Sequence, residues 1–590
     1  MQFKQINPRP LKGCFYVACL LIFSANKISA QTTYLSQSDK ANILLERMEI
    51  KGQIDSILNF SKIRPLNRKN VINGVNSYIT QFAKDTMYFS ELHKEEKKLK
   101  NLQLWSLSKV DKYNLQSVYA NNLEYLPENQ RNSIVSKKPI AKNFYTTPAN
   151  LYEVHVKDFD LIINPVIQFQ YMKEKDNDES LFLNSRGVAI RGRIADKIGF
   201  AASIIDNQER DPMYVQDWEN KFKSVPGAGY YKDFKGTGYD YFDARGYFTF
   251  NVTKYIDVAF GYDRNFIGNG YRSLFLSDFS NNILFLKLNT RIWKINYQNL
   301  FMELQTAEPR GPDRLLPKKY AALHHLDVNV TKWLNVGLFE GVIFGRKNHF
   351  EFGYLNPVIF YRSVEQQNGS FDNSVAGIDF KANTLKHFQF YGQFLLDEFN
   401  LSQIRKGNGW WANKWGLQLG AKYIDAFGIK NLDLQLEHNR VRPFTYSHRD
   451  SVANYTHYNQ PLAHPLGANF SEVIGLARYQ PAPKWTVIAK AMYWKQGLDS
   501  NAQNYGSNIF LPNVPPYRMG DYGYKIGSGM EAKTALASLL LSYELKENLF
   551  IEASATYRKF SVASNSSLSN NTTILSFGVR WNMHRRVFEF

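Results

Sequence analysis

Cysteine is nearly absent: the only two, Cys14 and Cys19, lie within the first thirty residues of the 590. The rest of the chain can form no disulfide, bind no metal through thiolates and use no cysteine nucleophile. A thiol-free chain suits passage through an oxidising compartment. Long apolar runs are equally scarce. One short run, Cys14–Phe23, follows Lys4, Arg9 and Lys12 and precedes Ile28-Ser29-Ala30-Gln31. A spanning helix needs about 20 apolar residues. The run is therefore read as a signal peptide, residues 1–30, cleaved after Ala30. No cysteine follows the run, so no lipoprotein anchor is expected. Nor is there an HExxH, a GxSxG or a P-loop pattern, and the expectation is of no enzyme, no cofactor and no metal.

Aromatics are abundant: 36 Tyr, 42 Phe and 10 Trp make 15% of the chain, which is nevertheless polar on average. Aromatic-rich, exported and without membrane helices is the profile of an outer-membrane β-barrel. The net charge is +19; Lys4, Arg9, Lys12 and Lys27 account for four positives of the first thirty residues, which hold no acid, leaving +15. Excess base on an exported barrel points to anionic partners such as lipopolysaccharide phosphates or acidic glycans, and not to nucleic acid.

Residues 31–140 read as a helical periplasmic domain and linker. Ile50, Ile54, Ile57 and Leu58 fall on one helical face, as do Val71, Val75, Tyr78, Ile79 and Phe82. Pro65 separates the two helices. A charged third stretch, Ser90–Lys112, carries Leu92, Leu99, Leu102 and Trp105, and Pro127, Pro139 and Pro148 end the helical region.

Residues 141–590 read as the barrel. From about Leu161 the period becomes two. Val188, Ile190 and Ile194 alternate with Ala189, Arg191 and Arg193, and beyond Asp196-Lys197 the alternation resumes at Ile198. Eight short turns, near residues 196, 254, 293, 332, 385, 428, 483 and 547, alternate with longer Gly-, Asn- and Tyr-rich loops. Eight turns join sixteen strands, and one more at each end gives about eighteen. The short turns and both mature termini are placed in the periplasm. The alternation Leu575, Phe577, Val579, Trp581, Met583 predicts a last strand running to the terminal Phe590, a form that suits outer-membrane assembly machinery.

The residues suited to binding are arginines and tryptophans. Arg191 and Arg193 are predicted to face the lumen, as are Arg558 and Arg580, where guanidinium groups bind carboxylate, sulfate or phosphate bidentately or pair with lumenal acids. Trp410 and Trp411, in Gly407-Asn408-Gly409-Trp410-Trp411, offer planes for sugar rings or belong to an interface girdle with Trp415. Tyr230, Tyr231, Tyr239, Tyr241 and Phe242 form a second aromatic loop with the same two readings. His324 and His325 are adjacent, so they point to opposite faces of a strand and cannot share a metal; one buried and one solvated is the expectation.

Three stretches carry a family resemblance. They are Phe144–Tyr152 leading into Phe159–Pro165, the run Gly261–Asp278 (GYDRNFIGNGYRSLFLSD), and Leu355–Gln366 (LNPVIFYRSVEQ). They resemble RemB-type gliding-motility proteins and the related Wzi-type capsule-assembly barrels. The resemblance implies an eighteen-stranded barrel with a periplasmic helical bundle. It also implies a non-enzymatic role in attaching or organising surface polysaccharide, in capsule assembly or in support of motility. Arg264 and Arg272, flanking Gly268-Asn269-Gly270, are candidates to line a glycan path on an inward-folding loop, and Arg362 beside Glu365 is a third. A diffusion channel, or a scaffold for a periplasmic protein partner, stands as the alternative.

Overall fold

The structure, a computed structural model, describes residues 32–53, 57–92, 107–306, 316–500 and 503–590. The expected signal peptide, Ile54 of the first helical face, and Leu99, Leu102 and Trp105 of the third helical stretch lie outside the described residues.

The chain folds as a closed barrel of 18 antiparallel strands. Sequence neighbours pair throughout, and the last strand, Asn570–Trp581, closes on the first, Phe159–Glu174, with Trp581 opposite Ile167. The eight short turns fall where the period-two pattern breaks. The tightest need no glycine: in the turn between Thr384 and Phe388, Leu385 and Lys386 adopt φ of 52° and 59°. That left-handed pair matches the twist of the strands it joins. Outward positions such as Phe169, Ile204, Leu338, Phe394, Leu436 and Phe577 stay exposed. A belt of this kind requires a hydrocarbon surround. No described helix is long and apolar enough to cross a membrane.

Three helices cover the short-turn mouth: α1 (Ala41–Gly52), α2 (Arg68–Leu92) and α3 (Lys109–Ala120). α3 starts on a capping box, with the Ser108 hydroxyl accepting from the Asp111 N–H and the Asp111 carboxylate accepting from the Ser108 N–H. Leu44, Met48, Val71, Val75 and Val118 form the bundle's own core. Polar contacts hold it to the barrel. Arg47 reaches Asp425 at 2.7 Å and also pairs with Asp433, Lys40 reaches Glu547 at 2.6 Å, and Glu46 takes Lys422 at 2.5 Å and Arg478 at 3.3 Å. Against the desolvation that would raise it, Lys422 and Arg478 hold the Glu46 carboxyl down to about 2.

Three expectations need correction. α1 ends at Gly52, where Gln53 turns left-handed (φ 45°), so Ile57 and Leu58 do not continue its face. Residues 57–67 dip into the barrel instead. The last strand stops at Trp581, not Phe590. Asn582 takes φ 51°, and residues 582–590 turn back up the lumen. Nine extended residues span about 30 Å, enough to bring Phe590 against Trp218 and Phe279 on the long-loop side. Both adjacent histidines are buried: His325 Nε2 donates to the Asp379 carboxylate at 2.7 Å inside the barrel, whereas His324 faces outward beneath the Tyr361 ring at 4.0 Å. A loop segment laid along the outer wall covers it where solvent was expected.

Candidate ligand-binding site

The lumen is filled by the chain's own segments. From below, Lys62 pairs with Asp379 and lies 3.1 Å from Asp327, all three fully buried. The neighbouring Ile63–Arg64 forms a two-residue ribbon with Phe266–Ile267. From above, the loop between Asp263 and Ile283 folds inward. Its anchor is the Glu437 carboxylate, which accepts the N–H groups of Tyr271 (2.6 Å) and Arg272 (3.0 Å) and the Tyr391 hydroxyl (2.7 Å). Gly270 makes this approach possible, since a Cβ there would stand 2.6 Å from the Glu437 oxygen. The loop between Val441 and Phe470 also enters, and its Tyr446 and Tyr455 hydroxyls donate to the Leu274 and Phe275 carbonyls at 2.8 and 2.6 Å.

Between these closures lies a chamber of about 890 Å³. Thirteen lysines and arginines but six aspartates and glutamates line it. Some of the missing counter-charge stands one layer back: Asp243 holds Arg245 at 2.7 Å and Glu209 holds Arg586 at 3.0 Å. Arg64, Arg68 and Arg264 are different. Among the described residues none of the three has a carboxylate within ion-pair range; they donate to backbone carbonyls and side-chain amide oxygens. The surface turned to the chamber is therefore one that favours an anion.

The predicted site residues fall in four places. Arg191 and Arg193 face inward at the short-turn mouth. There Arg191 reaches Glu124 (3.0 Å) and the Asn121 carbonyl (2.8 Å), and Arg193 pairs with Asp160 and lies over the Tyr125 ring at 5.3 Å. Both tie the helical domain to the wall. Arg264 and Arg272 share the chamber. Arg264 donates to the Gly227 (2.7 Å) and Asp278 (3.1 Å) carbonyls, joining two inward loops, and Arg272 donates to the Glu589 carbonyl at 2.6 Å. Arg362 is remote from both. It sits on the external segment, three-quarters exposed, paired with Glu365 at 2.6 Å.

Trp410 and Trp411 lie at the long-loop mouth, half-buried. Their loop is pinned to the one between Leu498 and Met530: the Tyr524 N–H donates to the Gly409 carbonyl and the Trp411 N–H to the Asp521 carbonyl, both at 2.9 Å. Gly409 (φ 69°) permits this, because a Cβ would meet Tyr524 backbone at 2.8 Å. The Arg518 guanidinium covers the Trp411 ring at 4.2 Å, and Phe444 meets it edge-on. Trp410 is held through its carbonyl by Arg442 (3.2 Å), with exposed Tyr522 in the loop across from it. The result is a rigid aromatic–cationic platform. In the second aromatic loop Tyr239 and Tyr241 are buried, while Tyr230 and Phe242 are exposed.

Sequence reasoning missed the returning segment. Arg585 meets Glu552 at 2.6 Å beside Arg580, and Lys490 pairs with Glu589. The signal was present in His584-Arg585-Arg586, a basic run with no place in an alternating strand.

No protein-family model matches the chain, and no curated protein does. Among solved structures it is similar to Wzi of Escherichia coli, described as an outer-membrane protein involved in group 1 capsule assembly and a carbohydrate-binding β-barrel. The TM-score is 0.52 at 14% identity, over 95% of this chain and all (100%) of that one. OprD of Pseudomonas aeruginosa aligns over 72% of this chain and 96% of its own, at 11% identity and a TM-score of 0.40. These likenesses are of fold.

Proposed function

We propose that this is an exported outer-membrane protein that binds or organises surface polysaccharide without chemically altering it, in capsule or exopolysaccharide assembly or in support of gliding motility. The short turns and the helical domain face the periplasm, and the long loops face outward. The observation that carries this reading is the filling of the lumen from both ends by ion-paired segments, which leaves the long-loop mouth as the working surface. There Trp410 and Trp411 present ring planes of the kind that pack on sugar C–H faces, and Arg518, itself paired with Asp521, backs the Trp411 ring. Arg264 and Arg272 act by holding the inward loops that support this mouth. The fold shared with a barrel described as carbohydrate-binding supports the same reading.

The test is binding of the detergent-purified protein to the host's purified surface polysaccharide at low and moderate salt. Saturable, salt-sensitive binding is expected, weakened ~10-fold or more in Trp410→Ala or Arg518→Gln, the loss expected from a charge-assisted hydrogen bond or stacking contact. No binding by folded wild-type protein, together with steady ion conductance in planar bilayers, would favour a channel.

A further inference from the structure

One cluster of buried acids has no part in the site just described. The strand Ile198–Arg210 ends at the long-loop mouth on Glu209, Asp211 follows, and the ten-residue helix Met213–Phe222 brings Glu219 back over both. One ligating oxygen from each of the three lies within 4.8 Å of the others. All are buried: Asp211 is 0% exposed, Glu219 1% and Glu209 2%.

Their hydrogen bonding is unequal. Glu209 is satisfied, accepting from Tyr241 at 3.1 Å and from Arg586 at 3.1 Å. Asp211 and Glu219 are not. Among the described residues, no N–H or hydroxyl group donates to either carboxylate, apart from the contact that the two carboxyls make with each other. Buried carboxylate oxygens in a folded protein are otherwise almost always paired, and leaving four without donors at one point is costly. The charge count agrees. Three carboxylates face one guanidinium, that of Arg586, so the cluster is two positive charges short.

We propose that Glu209, Asp211 and Glu219 form a binding site for a hard divalent cation, with Ca²⁺ the preferred ion. An all-oxygen set with no histidine or cysteine selects ions of the Ca²⁺, Mg²⁺ and Mn²⁺ class. Burial then selects within the class. Mg²⁺ keeps several of its waters, whereas Ca²⁺ accepts an irregular set made of protein oxygens. The site is empty. Filled, it joins the end of a barrel strand, the helix over the lumen and, through Arg586, the returning segment. On that helix Tyr214 donates to the Phe588 carbonyl at 2.8 Å and Trp218 packs on Phe590. The cation is therefore a clasp for the closure on the long-loop side.

The experiment is isothermal titration of the full chain, in detergent and freed of divalent ions with chelator, using CaCl₂ and then MgCl₂. Wild-type protein is expected to take up one equivalent of Ca²⁺ more than Asp211→Asn or Glu219→Gln, with affinity lowered ~10-fold or more in each variant. Ca²⁺ should also raise the melting temperature of the wild type alone. If wild type and variants take up Ca²⁺ equally, or if wild type takes up none, the proposal is overturned and the acids share protons instead. Should the variants fail to fold, Tb³⁺ luminescence of the wild type decides. The Tyr241 hydroxyl touches Glu209, so sensitised emission displaced by Ca²⁺ is expected, and its absence refutes the site.

Discussion

Replacing Phe590 with alanine should open the lumen from within while leaving the barrel intact. The ring is 7% exposed. It lies 5.1 Å from Trp218, 5.9 Å from Phe279 and 6.4 Å from Tyr214. Truncating a buried phenylalanine costs about 3–5 kcal/mol. None of this loss falls on the strand ladder, because residues 582–590 pair with no strand. It should appear as local release of the segment, raising its free population by roughly 10²-fold to 4 × 10³-fold at about 1.4 kcal/mol per tenfold. The absence of cysteine after residue 30 supplies the assay. A single Val587→Cys, on the chamber side of the segment, is labelled with a polyethylene-glycol maleimide too large for the closed chamber. Labelling should be slow alone and accelerated by about that factor with Phe590→Ala, at unchanged strand content by circular dichroism. Equal labelling rates in the two proteins, or a collapse of the whole barrel, would refute a separable plug.

Two further outcomes follow from named contacts. Lys62→Met strands Asp327 and Asp379 without their cation, a loss of about 3–5 kcal/mol for a broken buried pair; planar bilayers should show openings in this variant, silence in wild type, and silence again with Asp327→Asn and Asp379→Asn added, whereas a silent Lys62→Met would exclude this cluster as the lower latch. His155, in the short hairpin beside the short-turn mouth, is pushed up to about 9: desolvation would lower it, but the hydrogen bonds to Asp160 (2.6 Å) and Glu153 (2.9 Å) prevail. Its folded value exceeds the unfolded one, so the stabilisation, about 3 kcal/mol, is complete below about pH 6.5 and disappears as pH rises through 9; proteolysis at this hairpin should quicken over that window in wild type and show no such pH dependence in His155→Gln.

The wall of the barrel was legible because its rule is local. Period two and short turns depend on immediate neighbours, so all eight turns could be placed from the residues. The contents of the lumen were not, since they obey no period. Lys62, Glu437 and Arg586 matter through partners 100 or more residues away, and in sequence they look like ordinary loop charges. Phe590 was misread for the opposite reason: Leu575 to Met583 alternate so regularly that continuing the strand seemed required, while the turn at Asn582 leaves little trace. His324 shows a third limit. A period-two reading puts His324 and His325 on opposite faces, but cannot foresee that residues 350–369 will lie over the outer one. Arg362, on the same segment, shares only the family resemblance with Arg264 and Arg272, and the fold separates it from them by the thickness of the wall.

The lower closure is held by charges, whereas the inward loops above also share an apolar cluster with the wall, Phe275 stacking on Phe339 at 4.4 Å. An inward face made of Asp327, Asp379, Lys381, Glu437 and Glu472 cannot be packed with apolar side chains, so whatever fills it must bring complementary charge. Lys62 serves two of these acids and Glu49 serves Lys381. Such pairs add little net stability, because desolvation offsets most of their attraction, yet losing one partner is expensive. A plug held this way is specific in register and only modestly bound. It can form late, after the barrel has closed, and can be released by a single defect without loss of the wall. The long-loop mouth follows the same design with one difference. Arg586 meets Glu209, but Asp211 and Glu219 find no side chain to balance them, and a cation from outside is what completes the pattern there.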